Sequence, residues 1–173
     1  PDALVAALCG GPPRSDPTDA ASTGLFDVVA GCWDVGLAAR LGIPAALLPP
    51  VYPSGEPAGG LRAAVAEAAG LMAGLPVCTA CGDNQASFLG AAGDLEGTAL
   101  LNVGTGAQVS GWLAGWVPPA ERAAGLEVRP FPRGGYLLVG AELCGGASLA
   151  ALAGGYADAG RRLFGYRGDG AAL

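Results

Sequence analysis

The sequence predicts an α/β protein, because strand-like and helix-like segments alternate from residue 76 onward. A short strand-like run at residues 76–80 leads into a tight turn at Gly82, and an apolar helical stretch follows at residues 85–92. Two more strand-like runs, residues 98–103 and 107–113, are separated by only three residues, as in a hairpin.

The segment before residue 76 mixes short helical signals with turns. Residues 35–41 form an apolar, helix-compatible run that Gly42 is suited to end in the left-handed conformation. Residues 61–71 carry apolar side chains at helical spacing, and the next stop signals are Gly74 and Pro76. We therefore expect two helices joined by an irregular, proline-containing connection.

The end of the chain repeats the pattern of a strand followed by a helix. Residues 136–143 predict a strand, and Gly145-Gly146 lead into an Ala- and Leu-rich helix from Ser148 onward. A domain boundary is expected at Gly93, which divides the chain into residues 1–92 and 93–173.

Composition excludes several classes of protein. The formal net charge is −6 and the nine basic residues are all arginines that form no cluster, so nucleic acid is not an expected partner. No apolar run is long enough to span a membrane, and five scattered cysteines suit a reducing cytoplasm. Without His or Lys, the chain has no catalytic triad, imidazole metal ligand or Gly-Lys-Ser phosphate loop, and a metal site is not predicted.

Asp83 is the first candidate for chemistry, because it lies where a strand ends and a helix begins. That position directs a carboxylate toward the cleft in which α/β proteins bind ligands. An ordinary helix N-cap is the alternative, since aspartate is favoured there as an acceptor of backbone N–H groups.

Two glycine turns are the other candidates. Gly104-Thr105-Gly106 lie between two strands, where small residues and backbone amides would let a phosphate approach, although a plain hairpin turn fits equally. Gly145-Gly146 precede a helix and offer either an anion site or a tight left-handed turn. Cys-x-x-Cys at Cys78 and Cys81 has no further metal ligands, so we expect two small buried side chains. The tryptophans are expected to be packing anchors.

Three segments in one order carry a family resemblance. Residues 22–27 read Ser-Thr-Gly-Leu-Phe-Asp, residues 81–87 read Cys-Gly-Asp-Asn-Gln-Ala-Ser, and residues 101–108 read Leu-Asn-Val-Gly-Thr-Gly-Ala-Gln. Trp33-Asp34 and the Leu-Gly-Ile-Pro of residues 41–44 lie between the first two. The combination resembles the FGGY carbohydrate kinases, which include the glycerol, xylulose, gluconate and sedoheptulose kinases.

This resemblance implies a ribonuclease H-like, actin-like fold with parts of two domains: residues 1–92 from the sugar-binding domain and residues 93–173 from the nucleotide-binding domain. It implies ATP and Mg²⁺ as cofactors and phosphorylation of a small sugar or polyol. Asp83 matches the family's catalytic base, and Asn84 matches a neighbour that contacts substrate.

The glycine turns are also covered by the resemblance. Gly104, Thr105 and Gly106 match the turn that holds the ATP phosphates, and Gly146 matches a nucleotide-contacting glycine. One departure concerns the nucleotide site, because Ala150 stands where glycerol kinases carry a glutamine.

The substrate expected from the resemblance is a seven-carbon ketose. Ala107-Gln108 and the Arg-Pro-Phe-Pro of residues 129–132 look most like sedoheptulokinases, so sedoheptulose is the first candidate. The chain starts at Pro1 without an initiating Met, and we expect a fragment that has little or no kinase activity by itself.

Two rival interpretations stay open. One is a sugar-binding or regulatory relative of the same fold that has lost catalysis. The other is an actin- or chaperone-type ATPase that shares the phosphate turn but uses no sugar. The sequence also leaves a homo-oligomer open.

Overall fold

The computed structural model describes residues 1–104 and 106–165. The helices of this part are α1 (Asp2–Cys9), α2 (Pro17–Ser22), α3 (Val35–Arg40), α4 (Ala63–Ala69), α5 (Asp83–Ala91) and α6 (Gly146–Phe164). The strands are β1 (Phe26–Asp27), β2 (Cys32–Trp33), β3 (Pro57–Gly60), β4 (Pro76–Cys78), β5 (Ala99–Val103), β6 (Gly106–Leu113), β7 (Leu126–Pro130) and β8 (Tyr136–Cys144). Short 3₁₀ turns cover Ala45–Leu47 and Pro119–Glu121.

The largest sheet has the strand order β5-β6-β8-β7, and every neighbouring pair is antiparallel. Val103 pairs with Ala107 across the predicted hairpin, and Tyr136 pairs with both Leu113 and Pro130. The hairpin and the strand at residues 136–143 are therefore confirmed. Two small antiparallel ribbons, β1-β2 and β3-β4, lie in the first half of the chain.

The core forms where α5 packs on this sheet. Phe88 is fully buried, and its ring meets that of Phe131 edge to face at 5.8 Å between centroids. Leu137 and Val139, two residues apart on β8, are also fully buried, as the two-residue period of a strand requires. α5 and the sheet thus share one apolar cluster, so the start of α5 is held on a rigid base.

Several helix ends differ from the sequence-based expectation. α3 ends as predicted, with Gly42 at a φ of 73°. α4 is shorter than residues 61–71, because Gly70 already takes the left-handed conformation at a φ of 67° and terminates it. α6 begins at Gly146, two residues before Ser148, and the expected boundary was too late.

α6 shows an apolar surface. Leu149, Leu152, Tyr156 and Phe164 are all more than half exposed. In residues 1–104 and 106–165, no helix combines the length and the apolar character that crossing a bilayer demands.

The prediction that Cys78 and Cys81 are buried is wrong. Cys78 is exposed, because the β3-β4 ribbon is open on one side, and Cys81 is half-buried between β4 and α5. The packing role of the tryptophans is confirmed: Trp33 meets Phe26 edge to face at 5.6 Å and donates from Nε1 to the Pro49 carbonyl at 2.7 Å.

Candidate active site

A cavity of about 900 Å³ opens between α2, the start of α5 and β7. Its wall contains the carboxylates Asp19, Asp83 and Glu127 and the guanidinium groups of Arg122 and Arg129. Carboxylates and guanidinium groups hydrogen-bond hydroxyl-rich molecules well, and the volume is that of a small-molecule site.

Asp83 occupies the first turn of α5 and is exposed at this cavity. The N-cap of the helix is Gly82, so the alternative that Asp83 is the cap is wrong. Its Oδ1 accepts the N–H of Asn84 at 2.6 Å. Asp83 therefore presents its carboxylate at the cavity wall.

The backbone around Asp83 leaves little room for movement. A Cβ atom on Gly82 would lie 2.6 Å from Oε1 of Gln85, so a larger residue there would displace the Gln85 amide. Gln85 is buried and donates from Nε2 to the Pro130 carbonyl at 3.1 Å. This bond fastens the first turn of α5 to the end of β7. Gln85 belongs to the recognised segment, but its spacing gave no sign of this role.

Asn84 connects α5 to β6. Its Nδ2 donates to Oε1 of Gln108, and its Oδ1 accepts the Ser110 hydroxyl at 3.1 Å. Asn84 is half-buried, and its amide is engaged by these two side chains. The substrate contact expected for Asn84 stays a prediction.

The two glycine turns contact each other directly. Gly104 donates to the Gly106 carbonyl and Gly146 donates to the Gly104 carbonyl, both at 2.7 Å. A Cβ atom on Gly145 would lie 2.4 Å from the carbonyl carbon and oxygen of Gly106, and one on Gly146 would lie 2.9 Å from the Gly104 oxygen. Side chains are excluded from this junction, whereas Gly104 lacks the positive φ that a glycine hairpin can use. Thr105 lies outside the described residues.

Asp19 has an unusual environment on the cavity wall. Burial raises the pKa of its carboxyl group above the ordinary value, and the carboxylate of Asp16 raises this pKa further. Within the described part of the chain, its Oδ2 is buried without a hydrogen-bond partner. The same two causes, burial first and then the charges of Asp16 and Asp19, raise the pKa of the Cys81 thiol.

Metal coordination by the described residues alone has no geometric basis. Across residues 1–104 and 106–165, no three His, Cys, Asp or Glu side chains come together as ligands.

Comparison with known proteins identifies the family. Residues 2–90 match the model of the FGGY family of carbohydrate kinases, N-terminal domain. A glycerol kinase from Methylibium petroleiphilum is 40% identical over 104 residues, which is 60% of this chain and 20% of that protein. An apulose kinase from Pectobacterium atrosepticum is 36% identical over 95 residues, 55% of this chain and 19% of that protein. The matched part of the chain thus covers about a fifth of the length of these relatives.

Solved structures of sugar kinases are also similar to this chain. The xylulose kinase from Rhodospirillum rubrum superposes with a TM-score of 0.79 at 27% identity, covering 91% of this chain and 31% of that one. The ribonuclease H-like, actin-like fold class is confirmed, in a mixed α/β chain that contains part of the fold. The chain belongs to the FGGY family of carbohydrate kinases.

Proposed function

We propose that the protein containing this chain transfers the γ-phosphoryl group of ATP to a hydroxyl group of a small sugar or polyol, with Asp83 as the base. The observation that supports this most is the position of Asp83, exposed on the cavity wall in the first turn of a helix whose Gly-Asp-Asn-Gln start resembles the family.

Phosphoryl transfer does not require a strong base. Phosphoryl transfer passes through a loose transition state, so alignment of the attacking oxygen and stabilisation of charge dominate the rate. A carboxylate with an ordinary pKa of about 4 cannot ionise a sugar hydroxyl in advance. Asp83 would orient that hydroxyl and accept its proton as the oxygen–phosphorus bond forms.

The glycine junction is the proposed phosphate side of the site, formed by Gly104, Thr105, Gly106 and Gly146. The N–H groups of Gly104 and Gly146 already bond to carbonyls, so these two glycines are proposed to keep the junction thin enough for the phosphates to approach. Mg²⁺ bound to ATP would supply charge neutralisation at the phosphates, and because this ion keeps much of its water shell, few protein ligands would be required.

The substrate proposed first is sedoheptulose, giving sedoheptulose 7-phosphate. Its support is the resemblance of Ala107-Gln108 and residues 129–132 to sedoheptulokinases. Arg129 also lies on the cavity wall, where it pairs with Glu127 at 2.6 Å. The names of the relatives, glycerol, apulose and xylulose kinase, make glycerol, apulose and xylulose the necessary competitors in any assay.

A substrate screen tests this proposal. The full-length gene product would be assayed with ATP, Mg²⁺ and a panel of ketoses and polyols, with Asp83→Ala in parallel. We expect phosphorylation of one substrate and its loss in the variant. Folded protein that binds sugar and phosphorylates none would support the non-catalytic relative. A rate of ATP hydrolysis that does not change when any sugar is added would support the actin- or chaperone-type ATPase.

The division at residue 92 and the dependence on further chain are part of the same proposal. We expect residues 1–173 alone to have little or no kinase activity, because the apolar side chains of Leu149, Leu152 and Tyr156 on α6 are exposed and the matched relatives are about three times as long as this chain. Appreciable ATP-dependent phosphorylation of a sugar by residues 1–173 alone would refute this.

A further inference from the structure

We propose that Thr18 and Asp16 are positioning residues that fix the start of α5 and, through it, the carboxylate of Asp83. This inference rests on the proposed role of Asp83 as the base. Both residues lie 64 or more positions before Gly82 in the chain, and neither is part of the segments that carry the family resemblance.

Asp16 is the buried end of the arrangement, with 1% of its surface exposed. Its carboxylate accepts the N–H of Thr18 at 3.2 Å and the N–H of Asp19 at 2.9 Å, as an N-cap of α2 does. It also accepts two hydroxyl groups, from Thr18 at 2.9 Å and from Ser54. An N-cap needs only the two bonds from backbone N–H groups. The hydroxyl pair satisfies the remaining lone pairs of a carboxylate that burial would otherwise penalise.

Thr18 links the buried carboxylate of Asp16 to the start of α5 by hydrogen bonds. Its hydroxyl hydrogen is directed to Asp16, so its oxygen presents a lone pair in the opposite direction. The N–H of Gly82 donates to that oxygen at 2.7 Å. The bonds therefore run in one order, from the Gly82 amide to the Thr18 hydroxyl to the Asp16 carboxylate, and the charge at the end strengthens both.

The bonded amide belongs to the N-cap residue, immediately before Asp83. Gly82 has no side chain to cap the helix, and its own carbonyl accepts the N–H of Ala86 at 2.9 Å. Gln85 holds the same turn from the side of β7. Without the Thr18 bond, the first turn of α5 keeps the bonds of Asn84 to β6 and of Gln85 to Pro130, but the N-cap residue next to Asp83 loses its own anchor. We expect the Asp83 carboxylate then to shift by about 1 Å. Displacements of that size cost catalysis as much as about 100-fold.

The test separates position from stability in the full-length protein. Thr18→Val removes the hydroxyl at nearly constant volume, and Thr18→Ser keeps it. The matched control is Thr79→Val: Thr79 is equally buried, at 5% against 4% exposed, and its hydroxyl bonds to Pro53, at 2.7 Å, and to Glu56 rather than to a residue of α5. Each variant would be measured for kcat, for the sugar Kd by calorimetry and for Tm.

We expect Thr18→Val to lower kcat by about 10- to 100-fold with less than about a threefold change in the sugar Kd. Thr18→Ser restores kcat, and Thr79→Val lowers Tm but leaves kcat within a factor of about two. Equal losses of kcat in Thr18→Val and Thr79→Val, or an unchanged kcat in Thr18→Val, overturn the inference.

Asp16→Asn is the second variant, and it tests the same inference if Thr18→Val does not fold. Asparagine remains an effective N-cap for α2 but removes the charge at the end of the chain of bonds. We expect kcat to fall about three- to tenfold with the sugar Kd retained, and an unchanged kcat overturns the inference. Full activity of Asp83→Asn would be a different failure, because it would refute the proposed base and not the contact between Thr18 and Gly82.

Discussion

Substitution of Gly145 by alanine tests the glycine junction at a single methyl group. The new Cβ would lie 2.4 Å from the carbonyl carbon and oxygen of Gly106 and 2.9 Å from the Gly104 oxygen. Ordinary contacts at such a Cβ begin at 3.4 Å, so the backbone of one turn has to retreat by about 1 Å. Overpacking of this kind costs about 1–3 kcal/mol of unfolding free energy.

The same displacement should weaken the use of ATP. If the phosphates rest on this junction, a retreat of about 1 Å raises the ATP KM by roughly 10-fold or more while the sugar KM changes little. The assay is steady-state kinetics with either substrate varied, together with urea denaturation of the same preparations.

Gly154→Ala is the matched control on the same helix. No heavy atom lies within 4 Å of a Cβ at this position, so the alanine meets no obstacle. In a helix interior, alanine is favoured over glycine by up to about 1 kcal/mol, and we expect a stability gain with an unchanged ATP KM. A wild-type ATP KM in Gly145→Ala, or equal effects of both substitutions, would refute the assignment of the junction to the phosphates.

Three further predictions concern the core and the cavity wall. Phe88→Ala should lower the unfolding free energy by about 3–5 kcal/mol in urea denaturation, because this ring is fully buried, and a loss below about 1 kcal/mol would contradict the shared core. Asp19→Asn should raise Tm near neutral pH and have little effect near pH 3. Because the folded-state pKa of Asp19 is raised, the stability of the wild-type protein falls as pH rises through about 4 and above. A Tm gain that is the same at both pH values would contradict this. Cys81 should be alkylated by iodoacetamide at pH 8 more slowly than the exposed thiols Cys32 and Cys78, because burial raises its pKa, and mass spectrometry showing equal rates would contradict this.

The parts of the fold that the sequence predicted are those with local signals. The strand, turn and helix around Asp83 follow from a short β-compatible run, a glycine and an apolar helical stretch. The hairpin follows from two strand-like runs that flank a glycine turn. The family resemblance carried by the same segments predicted the fold class, which the solved structures confirmed.

The elements that the sequence did not predict have weak or conflicting local signals. β7 ends in Pro130 and forms an edge of its sheet, where a proline costs no ladder hydrogen bond, and the sequence analysis predicted no strand at these residues. The helix at residues 61–71 was extended past its true end because Gly70 was not read as a cap. Leu61 is buried nonetheless, before the helix begins.

The candidate site was predicted only in part, for a related reason. Asp83 could be found from its neighbours in sequence, but the bonds that hold its helix connect Gly82 to Thr18 and Gln85 to Pro130, over 64 and 45 residues. Periodicity and turn chemistry carry no information on such contacts. Asp19 was missed because its raised pKa depends on burial and on nearby carboxylates, which only the folded chain brings together.

The central claim is that Asp83 accepts the proton in a sugar kinase reaction, and Asp83→Asn in the full-length protein tests it most directly. Asparagine keeps the shape of the side chain and removes its capacity to accept a proton. The account predicts a fall in kcat of about 10²- to 10⁴-fold, with the sugar Kd and Tm close to wild type. A variant that binds sugar and turns over at the wild-type rate would contradict it.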